Sequence, residues 1–96
     1  MIFNNFKQLK DKLTVGMTIT LTYARFSHEN LGEKIKARLN QPREIIKKQT
    51  NAIQFSDGSY LGLGSTGEKA KDFLFFGNNT FSYRDDDCIL DYRVGA

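Results

Sequence analysis

Apolar residues near the start of the chain recur at helical spacing. Phe3, Phe6, Leu9 and Leu13 are three, three and four positions apart, which places them on one face of a helix. Lys7, Lys10, Asp11 and Lys12 fill the other face, Asn4 or Asn5 stands where an N-cap is wanted, and Gly16 stands where a C-terminal glycine stops a helix. The pattern therefore predicts an amphipathic helix over residues 1–15. The period then changes to two: Met17, Ile19, Leu21 and Tyr23 alternate with Thr18, Thr20 and Thr22. That alternation predicts a half-buried strand whose threonines line a solvated or edge-facing side.

Residues 27–41 carry a weaker signal. Ile35, Ala37 and Leu39 alternate with Lys34, Lys36 and Arg38, so the segment reads as a basic loop or a poorly packed edge strand. Beyond Pro42, REIIKKQ reads as a strand, with a turn near Thr50-Asn51. Ile53 and Phe55 lead to Asp57-Gly58, a two-residue hairpin signal that sets Phe55 opposite Tyr60. Gly62 to Lys71 reads as a surface loop with one helical turn, and Phe73 to Phe76 as buried core. Thr80–Arg84 and Cys88–Val94 form a closing hairpin around Asp85-Asp86-Asp87. No strand–helix alternation exists to build a parallel sheet. The expected fold is mainly β (α+β) and a single domain over residues 1–96. It is an N-terminal helix followed by a small antiparallel SH3-like barrel or roll of five to six short strands, spanning residues 17–94. An OB-like barrel is the alternative.

Length restricts the function classes. A chain of 96 residues has room for neither a dinucleotide-binding enzyme domain nor a two-domain cleft. Its one cysteine, Cys88, excludes an intramolecular disulfide, so a cytoplasmic location is expected. No apolar signal segment opens the sequence, and the longest apolar run, Phe73 to Phe76, is far short of the ~20 residues of a membrane span. Asn78-Asn79-Thr80 spells a glycosylation sequon, which in a cytoplasmic protein has no meaning.

Three features imitate chemistry. Gly62-Leu63-Gly64-Ser65-Thr66-Gly67 matches G-x-G-x-x-G, but a dinucleotide site needs that motif inside a βαβ unit. Glu68 also stands where a phosphate-binding loop requires lysine. Asp85-Asp86-Asp87 lacks the alternate ligand spacing of a calcium loop and reads as a polar turn. His28 is the only histidine and Cys88 the only cysteine; two such residues make neither a zinc site nor a nucleophile with an oriented base. No catalytic residue, cofactor or metal is expected, and no small-molecule substrate is evident.

Charge is distributed unevenly. The net +3 divides into +6 over residues 1–50 and −3 over residues 51–96. Lys34, Lys36, Arg38, Arg43, Lys47 and Lys48 fall close together in the basic half. On one strand face they would form a phosphate-binding surface, with Tyr23, Phe26 and Tyr60 as candidate bases-stacking partners.

FKQLKDKL, the threonine-rich strand, PREIIKKQTNAIQF and NTFSYRDDDCILDY together resemble small uncharacterised proteins of Gram-positive (Firmicutes) phages, plasmids and integrated elements. Those proteins often carry a Trp and a Phe-Pro pair before the last hairpin, where this chain has Phe73-Leu74-Phe75-Phe76. The resemblance implies a mobile-element origin and no assigned activity. The expected function is a non-enzymatic module that contacts nucleic-acid phosphates through the six basic residues. The alternative is an accessory factor that docks on a host or phage protein.

Overall fold

The protein is represented by a computed structural model, which describes residues 2–64 and 70–95. In chain order its elements are α1 (Phe6–Lys12), β1 (Thr18–Phe26), α2 (Glu33–Arg38), β2 (Pro42–Lys48), β3 (Ala52–Phe55) and β4 (Tyr60–Gly62). After a 3-10 turn at Ala70–Asp72 come β5 (Phe73–Phe75), β6 (Thr80–Arg84) and β7 (Cys88–Gly95). The strands form one antiparallel sheet in the order β4-β3-β2-β1-β7-β6-β5. The mainly β class matches the sequence pattern; among the described residues the strand count is seven rather than five or six, because each short apolar segment in the second half of the chain pairs as a strand of its own. β4 and β5 end the sheet, and residues from both line one cavity.

The helical face of α1 is as the spacing predicts, with Phe3, Phe6, Leu9 and Leu13 all buried. Phe6 meets Phe73 at 5.1 Å between ring centroids, and Phe3 meets Phe81 edge-on at 6.4 Å. The Asn5 side chain accepts a hydrogen bond from the Gln8 N–H at 2.8 Å, which caps the first turn. The helix is shorter than residues 1–15: it ends at Leu13, whose N–H reaches the Leu9 carbonyl. Gly16 does not close it. At φ +96° this glycine turns the chain into β1, and its N–H donates to the Ile45 carbonyl.

In β1 the alternation breaks. Leu21 pairs with Tyr92 of β7 and Tyr23 with Asp91, which leaves Thr22 as the extra residue of a bulge. Ile19, Leu21 and Ala24 therefore face the core, Tyr23 is 48% exposed rather than buried, and Thr20 is buried rather than solvated. The Thr22 hydroxyl donates to the Asp91 carbonyl at 3.2 Å.

Residues 27–41 hold neither an edge strand nor a simple loop; their centre is α2. Leu31, Ile35 and Leu39 are four apart and all pack partly buried against the core, so the helical period prevails over the two-residue alternation that the lysines suggested. The β3–β4 turn also differs from expectation. The Phe55 N–H donates to the Ser59 carbonyl, giving a three-residue loop of Ser56, Asp57 and Gly58 with Gly58 at φ +86°. Tyr60 consequently pairs with Gln54 instead of Phe55. That one-residue shift turns Tyr60 outward, 58% exposed, while Phe55 is fully buried.

The predicted surface loop from Gly62 to Lys71 contains the end of β4 and the 3-10 turn. Leu63, within that predicted loop, is instead buried in the core, and its N–H donates to the Asn51 carbonyl. Residues 65–69, with the second half of the G-x-G-x-x-G match, lie outside the described residues.

Candidate nucleic-acid interface

The six basic residues singled out by the sequence divide among three environments. Lys34 and Lys36 are exposed on α2. Arg38, also on α2, is half-buried and its Nε lies 3.5 Å from Asp57 in the β3–β4 turn. At the far end of β2, about 20 Å away at the usual strand rise, Lys47 is exposed and Lys48 donates to the Lys10 carbonyl at 2.5 Å. That bond satisfies one of the open carbonyls in the last turn of α1. The residues therefore do not share one strand face.

Arg43 is not a surface cation at all. It is 8% exposed, with its guanidinium 4.1 Å from the centre of the Phe55 ring and Nη1 donating to the Ser59 hydroxyl at 2.6 Å. Asp57 stands 3.9 Å from the same nitrogen, while Nε is buried without a partner among the described residues. The strand parity that points Ile45 inward points Arg43 inward too. Burial lowers the Arg43 pKa, and the charge of Asp57 opposes that effect. Partial burial also works against ionisation of Asp57. Hydrogen bonds from the Ser59 side chain and N–H, with the charges of Arg43 and Arg38, outweigh it and hold the carboxyl below its ordinary range. This cluster joins α2, β2 and the β3–β4 turn. It fixes the fold and leaves Arg43 unavailable to phosphate.

Of the three candidate aromatics, Tyr23 and Tyr60 are exposed and Phe26 is half-buried. Tyr60, Phe73, Tyr83 and Tyr92 line the cavity that β4 and β5 share, which has a volume of about 240 Å³. Sequence reasoning missed Arg25, Arg84 and Arg93, which are exposed on β1, β6 and β7. Their signal was present in the same two-residue alternation that buries Ala24, Tyr92 and Val94; the bulge at Thr22 hid it in β1.

The Asp85 side chain accepts from the N–H groups of Asp87 and Cys88 and from the Tyr83 hydroxyl, which lowers its pKa and closes the β6–β7 turn. His28 lies 3.7 Å from Asp87, both of them exposed. Burial, with Asp85 close by, pushes the Cys88 thiol up to about 11, so it is protonated at neutral pH and a weak nucleophile. Among the described residues no three His, Cys, Asp or Glu side chains converge as a metal site, and no helix is long and apolar enough to cross a membrane. No family model, curated protein or solved structure matches the chain.

Proposed function

We propose that this protein is a non-enzymatic binding module that contacts nucleic-acid phosphates. The antiparallel sheet, with α1 and α2, is read as a small, partly open barrel or roll of SH3-like type, cytoplasmic and belonging to a phage or mobile element. The observation that carries the reading is the supply of exposed cations. Lys34, Lys36, Lys47, Arg25 and Arg93 are all exposed, and none has an ion-pair partner among the described residues. Arg38 and Arg43 are assigned to the Asp57 cluster instead. Mobility-shift titrations at low salt, with single- and double-stranded DNA and RNA, test the proposal. Affinity should fall steeply with salt as counterions are released. Absence of any shift at low salt sinks it.

A second reading, docking on a host or phage protein, draws on a different observation. Leu74 and Phe76 are exposed beside the terminal strand β5, where an unpaired edge can accept a partner strand. A partner retained at high salt would favour that reading.

A further inference from the structure

We propose that the outward face of β1, β7 and β6 is a platform for single-stranded nucleic acid, with Tyr23 stacking a base and Arg25 and Arg93 holding the backbone. This inference rests on the phosphate-binding reading and names its surface. The register puts these residues on one face. Arg84 and Arg25 both pair with Ile89, Tyr23 and Ser82 both pair with Asp91, and Arg93 pairs with Thr20 and Thr80. Residues directly opposite each other share a face, so three adjacent rows present arginines around one tyrosine. Arg25 and Arg84 are about 10 Å apart across the intervening strand.

Two details argue for a platform over an incidental set of exposed residues. The bulge at Thr22 shifts the parity of β1, which turns Tyr23 and Arg25 outward and Ala24 inward; bulges commonly re-aim side chains in this way. The face carries one acid at its centre, Asp91, and that carboxylate is already engaged. It accepts from the Ser82 hydroxyl at 2.6 Å and lies 3.7 Å from Arg84 Nη2. Arg84 Nε also donates to the Ser82 hydroxyl at 3.0 Å, so the arginine lies flat along the sheet. The remaining cations, Arg25 and Arg93, have no ion-pair partner among the described residues. Exposed arginines around an exposed ring match the two requirements of single-strand binding, charge along the backbone and a surface for stacking.

Fluorescence anisotropy with labelled oligothymidine and a labelled duplex of equal length tests the proposal on the full chain. Arg25→Glu with Arg93→Glu should abolish oligothymidine binding. The milder Arg25→Gln with Arg93→Gln should reduce the salt slope by about 1.4, at roughly 0.7 per phosphate contact. Tyr23→Ala should weaken oligothymidine binding roughly tenfold and change duplex binding little, whereas Tyr23→Phe should retain both. Circular dichroism melts of each variant establish that it is folded. If the arginine variants bind oligothymidine as the unaltered protein does, while Lys34→Glu with Lys36→Glu removes binding, the platform is overturned and the phosphate-binding reading stands. If Tyr23→Ala weakens both probes equally, the stacking role is overturned. If the unaltered protein binds neither probe, both proposals fail.

Discussion

Arg43 shows how one inward-facing position changes the meaning of a charge. Its guanidinium covers Phe55, yet its Nε has no partner among the described residues. Removing one member of a buried pair costs much more than replacing the ion by an apolar residue of similar volume. Arg43→Ala should therefore lower stability by about 2–3 kcal/mol, less than for a fully buried pair because Asp57 reaches solvent. Arg43→Met should remain within about 1 kcal/mol of the parent and leave any nucleic-acid affinity unchanged. Urea unfolding separates the two, and equal losses would show that charge outweighs packing here. Tyr92 governs the alkaline limb. Burial pushes its hydroxyl up to about 12, against about 10 in an unfolded chain. The neutral phenol thus favours the fold fully below pH ~10, and this contribution is lost as pH rises toward ~12. Tyr83, pushed up to about 12, and Cys88, pushed up to about 11, act in the same direction. Melting temperature should fall progressively above pH ~9, and more gently in Tyr92→Phe. An unchanged alkaline limb in that variant would refute the assignment.

At the scale of elements, the bulge in β1 yields a prediction that a regular strand would not. Thr22 opposes no residue of β7, so its deletion leaves Leu21 facing in and Tyr23 facing out. The shortened chain should fold, losing the Thr22–Asp91 hydrogen bond and about 1–2 kcal/mol. Deleting Ala24 instead should destabilise the fold, since the charged Arg25 would take its inward position. Proton NMR dispersion distinguishes the two outcomes. α2 offers a gain: Gly32 is its N-cap at φ −71° and ψ 161°, without a side-chain capping bond and with open space around a Cβ. Gly32→Asp should raise stability by a few tenths of a kcal/mol, visible as a higher urea midpoint. These two elements also mark where the sequence was legible. The α1 face and the closing strands follow from periodicity, because burial on one side imposes it. A bulge adds a residue without any local signature, so the facing of Tyr23 and Arg25 was hidden. In α2, six residues are too few for the helical period to stand out against alternating lysines. Arg43 was misread because charge usually means exposure, and only the register with Phe55 reveals the stacked guanidinium.

Across the whole molecule, the two helices are tied in near opposite ends of β2. Lys48 ties the end of β2 to α1, while Arg38 and the Leu21–Leu39 bridge hold α2 near its start. Between them lies a core built on aromatic rings, with Phe81 at its centre. Fully buried, Phe81 stacks on Tyr92 at 5.0 Å and meets Phe73, Phe75 and Phe3 at 6.1, 6.5 and 6.4 Å. It therefore joins the segment leading into α1 to β5 and β7, the strands on either side of its own. A chain this small has about 5–15 kcal/mol of net stability, and truncating a buried Phe to Ala costs about 3–5. Phe81→Ala should consequently bring the entire domain close to unfolding at room temperature, with α1 and the sheet lost together. Phe81→Leu retains most of the volume and should cost about half as much. Urea unfolding followed by far-UV circular dichroism and by tyrosine fluorescence provides the check. Coincident, lowered midpoints would establish one cooperative core. Separate transitions in Phe81→Leu would show that α1 and the strands melt independently.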